Sequence, residues 1–246
     1  MTLTARKLFI LQCITHASLL LWLWNEPGLK EILTVFAVYF FTGCIGMSVT
    51  FHRLLTHRSF TTSKWFEYFG TFCATIGLTG SSITWTAAHR QHHASADKPK
   101  DPHSPVILGY FRAQWLSMFS PINMHKSPVI RDRVHQLFHK HYLEINLLYA
   151  VIVFAVFGVW GLLNLYLVPA AVLWNAGSLI NTICHTTWLG YRRYNVPDKS
   201  TNNPILGLLM WGEGWHNNHH RFQNRPNIGE KWYEIDVGYY IIKMVK

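Results

Sequence analysis

Charge is scarce in this chain of 246 residues: only 14% are Asp, Glu, Lys or Arg, against roughly 25% in a soluble domain, while 50% are hydrophobic. That balance excludes a disordered chain and points to lipid. Cysteine is sparse too. The four, at 13, 44, 73 and 184, stand singly in apolar stretches without any CxxC, so no disulfide framework is implied and buried thiols are expected. Internal repeats and low-complexity tracts are absent. Acids are few, 12 against 22 Lys and Arg, and the resulting charge of +10 suits either nucleic acid or an anionic membrane until its placement is known. What is plentiful is aromatic: 11 Trp, 11 Tyr and 15 Phe can anchor two membrane interfaces and fill a core. The 15 His are the second excess.

Crossing a bilayer takes about 20 mostly apolar residues, and four stretches qualify: 8–24, 32–51, 145–166 and 168–188. Arg6 and Lys7 precede the first in the manner of a signal peptide. Trp22, Trp24 and Asn25 follow where a cleavage site needs small residues, so it reads as an uncleaved span. Pro27-Gly28 joins the first pair and a turn around Tyr166 to Pro169 the second, giving two helical hairpins. Of the Lys and Arg only Lys30 lies in a hairpin turn. By the positive-inside rule both termini, the 52–143 segment and the 190–246 segment are therefore cytoplasmic. The basic excess is a topology and headgroup signal, with no nucleic-acid footprint.

The expected fold is an all-α integral membrane protein, a single domain over 1–246, whose four helices in two hairpins carry a cytoplasmic helical cap. Residues 65–88 are nearly apolar enough for a fifth crossing, but Gly70, Gly77, Gly80, Ser81 and Ser82 interrupt them. A crossing there would also divide the histidines between two leaflets, so a re-entrant or interfacial helical segment is expected. Residues 129–145 read as an interfacial helix, with Ile130, Val134, Leu137, Phe138, His141 and Ile145 on one face and Arg131, Arg133, His135, His139 and Lys140 on the other.

The histidines cluster at the cytoplasmic ends of these spans. His52 and His57 follow the second span, His89-Arg-Gln-His92-His93 ends the ambiguous segment, and His216-Asn-Asn-His219-His220 lies beyond the fourth. Spacings of three and four put imidazoles on one helical face, where neutral nitrogens can converge on metal. One such cluster is weak evidence; three at one membrane boundary are not. Asn181 and His185 add an amide and a ninth imidazole near the end of the fourth span. Nine imidazoles are too many for one metal and suit two with open positions. An all-nitrogen set admits Fe, Zn, Cu or Ni, but a closed four-ligand structural zinc site fits it poorly. Two redox metals beside a bilayer point to oxygen chemistry on a lipid.

HRLLTHRSF (52–60), WTAAHRQHH (85–93), DPHSP (101–105), NTICH (181–185) and GEGWHNNHH (212–220) resemble, in order and spacing, the signature boxes of the membrane-bound fatty acyl desaturases of the stearoyl-CoA, delta-9 type. The likeness covers about residues 32 to 222. It implies a diiron site, with one iron on His52, His93, His185 and His216 plus Asn181 through a water. The other would sit on His57, His89, His92, His219 and His220. Zinc can stand in for iron on overexpression.

The implied reaction uses O2 and two electrons to make a cis double bond, delta-9 in this branch, in an acyl chain held in a bent apolar tunnel. That tunnel should close on the second span at Phe40 and Cys44. No catalytic residue is implied beyond the metal ligands. No HPGG-like haem motif occurs, so a separate donor of ferredoxin, rubredoxin or cytochrome b5 type is expected. The chain is short at both ends beside animal enzymes and resembles a bacterial form, which implies a bacterial inner membrane. Its substrate would be acyl-CoA or a phospholipid acyl chain, with Arg112, Lys126 and Arg192 placed to meet CoA phosphates or headgroups.

Two rivals remain at this stage. A lipid hydroxylase or other diiron oxygenase would use the same site, and a membrane metal transporter or metal-binding protein would place its ligands mid-span along a pathway. His16, His103, His125, His135, His139 and His141 are left without a task, and their alanine variants should stay active.

Overall fold

The computed structural model describes residues 3–246, and its regular structure there is entirely helical. Helix α1 (Leu3–Trp24) is followed by a short turn and α2 (Leu29–Tyr39). Helix α2 then continues without a break as a π-helix, Phe40–Thr56. Three stretches are long and apolar enough to cross a membrane: Ala5–Trp24, Leu29–Thr56 and Tyr142–Ile183.

The last of these folds back on itself. Tyr149 Oη donates to Leu165 O at 3.2 Å and Tyr166 Oη to Asn146 Oδ1 at 3.0 Å, where a straight helix would hold residues 16 apart separated by roughly 24 Å. The reversal falls at Gly158, whose φ of 63° and ψ of −155° interrupt α8 (Tyr142–Leu162) in a conformation open mainly to glycine. The hairpin turn expected around Tyr166 to Pro169 is therefore wrong by some ten residues. The chain runs on helically through a π turn, Leu163–Leu167, into α9 (Val168–Ile183). Pro169 interrupts nothing because Leu165 O, the carbonyl its missing N–H would have served, takes the Tyr149 hydroxyl instead. Where α1, α2 and α9 turn, Trp22 Nε1 bonds Asn164 Oδ1 at 2.8 Å and Trp160 Nε1 bonds Glu31 Oε1 at 2.9 Å, tying the two hairpins together.

Residues 65–88 lie in a third, shorter hairpin. Helix α3 (Lys64–Ile76) runs antiparallel to the π-helix, with Gly70 against Thr50 and Gly46 against the Ala74 backbone. A turn with positive φ at Leu78 and Gly80 sends the chain back up α4 (Ser82–Ala94). Short helices α5 (Pro105–Leu108) and α6 (Tyr110–Trp115) follow, α6 packing on α9.

The helix expected over 129–145 is shorter and differently faced. Asp132 caps α7 (Arg133–Lys140) by accepting from Val134 N and His135 N, and the helix stops before His141. His135, placed on the polar face by the sequence pattern, is fully buried between Ser82 Oγ (3.0 Å) and Glu67 Oε1 (3.2 Å), while Leu137 is 57% exposed. A buried hydrogen-bonding pair on α3 and α4 outweighs the alternation of apolar and polar residues here. The chain closes with α10 (Pro204–Leu209), α11 (His216–Arg221) and α12 (Val237–Val245).

Candidate metal centre

The histidines are gathered by four helices. His52 and His57 are five apart, which on an α-helix would point them about 140° away from each other. The π winding removes that offset: His57 N bonds His52 O, five residues back, and the two rings lie 4.8 Å apart. Helix α4 brings His89, His92 and His93, α11 brings His216, His219 and His220, and His185 follows the end of α9.

The nine rings form two adjoining groups, His52, His57, His89, His93 and His219 in one and His92, His185, His216 and His220 in the other. This is not the division implied by the family pattern. His52 and His93 leave the His185–His216 side, and His92 and His220 join it, because His92 and His93 leave α4 in different directions. All contacts within each group are Nε2 to Nε2. They measure 3.0 Å for His52–His219, 3.1 Å for His57–His89, 2.9 Å for His89–His93 and 2.9 Å for His93–His219. In the second group they are 3.3 Å for His92–His220 and 3.1 Å for both His185–His216 and His216–His220. Ligands at right angles and about 2.1 Å from one ion would sit about 3.0 Å apart, so the spacing fits a cation in each group.

Proton bookkeeping leads to the same conclusion. His92 Nδ1 faces Asp101 Oδ2 at 2.8 Å, His185 Nδ1 faces Asp97 Oδ2 at 3.0 Å and His220 Nδ1 faces Asp198 Oδ2 at 2.9 Å. An ionised carboxylate only accepts, so these three rings keep their proton on Nδ1 and turn an Nε2 lone pair inward. Only His216 has a proton to spare among four converging nitrogens, and a cation resolves the crowding. Burial drives the same way. It pushes His57 down to about 2, with His52 adding to it, and His220 down to about 4 against the pull of Asp198. Burial and neighbouring rings also hold His89, His93, His216 and His219 well below the imidazole range. Burial alone would raise Asp101 and Asp198, but hydrogen bonds from His92 and His220 reverse this and keep both low.

The first group has one carboxylate partner. Glu213 Oε2 lies 2.6 Å from His52 Nδ1, and its other oxygen takes Ser48 Oγ (2.5 Å) and the Arg53 guanidinium (3.1 Å). Burial opposes the charge on Glu213, yet His52 and Arg53 bring it down to about 2. Arg53, 1% exposed, also bonds both oxygens of Asp236, the cap of α12. The glycines beside Glu213 are required by space: a Cβ on Gly214 would stand 2.1 Å from Gly207 N, and Gly212 has φ of 112° with Asp236 Oδ1 2.3 Å from where its Cβ would be. Gly214→Ala is accordingly expected to destabilise the fold by about 1–3 kcal/mol, seen as a lower Tm in detergent, and to lower bound metal with it.

An apolar cavity of about 180 Å³ abuts both groups, reaching His52 and His89 on one side and His216 on the other. Trp85 lines it and stacks on His89 at 4.9 Å. Asn181 also lines it, and its amide makes no hydrogen bond among the described residues. Its apolar lining includes Met47, Leu173 and Met210. Phe40 and Cys44, expected to end the tunnel, do not line it: Cys44 is fully buried in the core and Phe40 packs edge-on to Trp211. His103, expected to be uninvolved, stacks 4.4 Å from His92 and lines the same cavity. The Arg192 guanidinium is engaged by Val196 O and Asp198 O. His16 is satisfied between Gln12 O and Asn175 Nδ2.

The sequence patterns passed over Asp97, Asp198 and Glu213 as individual residues. For Glu213 and Asp101 a signal existed in the GEG and DPHSP motifs.

Helices apolar enough to span a bilayer, joined to two nests of inward-facing imidazoles that could each hold a metal ion, define the class of this protein. A family model described as fatty acid desaturase matches residues 31–228, and the chain belongs to that family of oxidoreductases. It is 35% identical to the sn-1 stearoyl-lipid 9-desaturase of Anabaena variabilis over 237 residues, 91% of this chain and 81% of that protein. Its identity to the Acyl-CoA C20 Delta5-desaturase of Anemone leveillei is 35% over 229 residues, 88% of this chain and 71% of that protein. With the Delta-9 acyl-lipid desaturase 1 of Arabidopsis thaliana it shares 33% over 232 residues, 89% and 72% of the two chains.

Proposed function

We propose that this enzyme inserts a cis double bond at the delta-9 position of a fatty acyl chain carried on a membrane lipid, with two iron ions held by the nine histidines. The observation that carries the reading is the convergence of two sets of Nε2 atoms at the mouth of one apolar cavity. His52, His57, His89, His93 and His219 would hold one ion and His92, His185, His216 and His220 the other, with Asn181 a further donor facing the cavity. Bound iron supplies the oxidising power that removes two hydrogens from adjacent methylenes. The balance is one acyl chain, O2, two electrons and two protons giving the unsaturated chain and two waters.

The protein's own part is placement. Met47, Leu173 and Met210 exclude water around the acyl chain and stop it, so that one pair of methylenes lies beside the imidazoles. Asp97, Asp101, Asp198 and Glu213 hold their histidines in the tautomer and orientation that present Nε2. Further parts of the reading are four crossings, the second hairpin turning at Gly158, a cap and both termini in the cytoplasm, and a single domain over 1–246. A bacterial inner membrane is the location this favours. The delta-9 lipid relatives favour an acyl-lipid over acyl-CoA, and a separate ferredoxin-, rubredoxin- or cytochrome b5-type protein supplies electrons.

Expression in a desaturase-deficient host tests this: mass spectrometry of the fatty acids should show a delta-9 cis monoene. A hydroxylated chain, or no new product from an iron-loaded protein, overturns it.

A further inference from the structure

Electrons must enter this site from outside, and the reading above needs two per turnover. The nine rings are not equally reachable. His57 and His93 are partly exposed, whereas the other seven are buried. Both exposed rings belong to the five-histidine group, with centroids 4.7 Å apart, and the four-histidine group is sealed. The route in is therefore over His57 and His93.

The surface around them has one sign. Arg58 follows His57, Arg90 sits between His89 and His93, and Arg221 follows His220; all three are exposed. Arg90 and Arg221 make no ion pair among the described residues. Of the 12 acids in the chain, only Glu26, in the first hairpin turn, and Glu144, at the start of α8, are exposed. The rest have been drawn inward, Asp97, Asp101, Asp198 and Glu213 onto histidines and Asp236 onto Arg53. Folding thus leaves the outer face cationic around the accessible imidazoles.

We propose that Arg58, Arg90 and Arg221 form the docking surface for an acidic one-electron carrier protein, which passes electrons to the five-histidine group across His57 and His93. Each reduced carrier is oxidised by one electron, so two docking events serve each turnover. An anionic bilayer fits this surface less well. Helix α4 starts at a turn packed on the spans, where Gln12 Nε2 bonds Leu78 O, and its last turn, carrying His92 and His93, lies roughly 16 Å along the helix from that start. Lys243 and Lys246, at the end of α12, are exposed cations that adjoin no histidine in the sequence.

The proposal rests on the desaturase reading, and its test separates the two. The iron-loaded protein in phosphatidylcholine nanodiscs is titrated with a plant-type [2Fe–2S] ferredoxin. Binding and the rate of ferredoxin oxidation, followed by its visible absorbance, are measured against salt. Arg90→Glu with Arg221→Glu should weaken binding about tenfold or more, flatten its salt dependence and slow ferredoxin oxidation. Product from a single turnover, on admitting O2 to chains reduced anaerobically and freed of dithionite, should not change. Lys243→Glu with Lys246→Glu should leave all three at wild-type values.

Wild-type ferredoxin affinity in the arginine double variant overturns the surface, as does an equal loss in the lysine variant. So does a result in which the arginine variant loses only its adhesion to phosphatidylserine vesicles. Absence of single-turnover product, when O2 is admitted to chains reduced anaerobically and freed of dithionite, overturns the desaturase reading instead, while the binding titration still reports on docking.

Discussion

His219→Ala is expected to abolish desaturation and to lower bound iron from two ions per chain to about one. His219 Nε2 touches both His52 Nε2 (3.0 Å) and His93 Nε2 (2.9 Å), so it joins the π-helix to α4 within the five-histidine group. Removing an outer partner of a metal ligand typically costs 10–100-fold in affinity or activity, and removing a bridging inner nitrogen should exceed the upper end of about 100-fold. The exposed His125 is the control, and His125→Ala should behave as wild type. Iron by elemental analysis and monoene by mass spectrometry give the two readouts. Full activity with two ions in His219→Ala would remove this residue from the site.

Glu213→Gln should be nearly as damaging, by another route. The substitution preserves shape but leaves Arg53, buried at 1% exposure, with Asp236 as its single counter-charge, and replaces an obligate acceptor at His52 Nδ1 with an amide. Loss of one partner from a buried charge pair costs about 3–5 kcal/mol, so a clear fall in Tm is expected together with the 10–100-fold loss of metal affinity of a disturbed ligand. Asp198→Asn gives the contrast. Its Oδ2 faces His220 of the sealed group and its Oδ1 accepts from Ser200 N, a bond that an amide oxygen keeps, so it should lose metal affinity with little change in Tm. If Glu213→Gln melts and binds iron like the parent protein, the Arg53–Glu213–His52 chain carries neither load.

Much of this was legible in the residue pattern because composition and spacing are local quantities. Apolar runs located the helices, and histidines at intervals of three and four located the sides of α4 and α11 on which the rings converge. Four features lay outside that reach. The second hairpin bends at Gly158 because a glycine can take a conformation that Tyr166 to Pro169 do not need, and a tyrosine hydroxyl stands in for the bond that Pro169 lacks. His135 turns inward because Glu67 and Ser82, on two other helices, wait for it. The division of nine rings into five and four follows from the directions of two neighbours on α4, which spacing alone cannot assign. The carboxylates behind the histidines are distant in sequence from their partners, such as Asp97 from His185, and are found only once the chain is folded.

The winding of Phe40–Thr56 sets a constraint of a different kind. A π turn consumes one residue more than an α turn to complete its circuit, so the phase between His52 and His57 depends on chain length as well as on side-chain identity. Point replacements on the lipid side leave that phase alone. Deleting one residue between positions 52 and 57 would swing one imidazole out of its nest, so this stretch should tolerate exchange far better than insertion or loss.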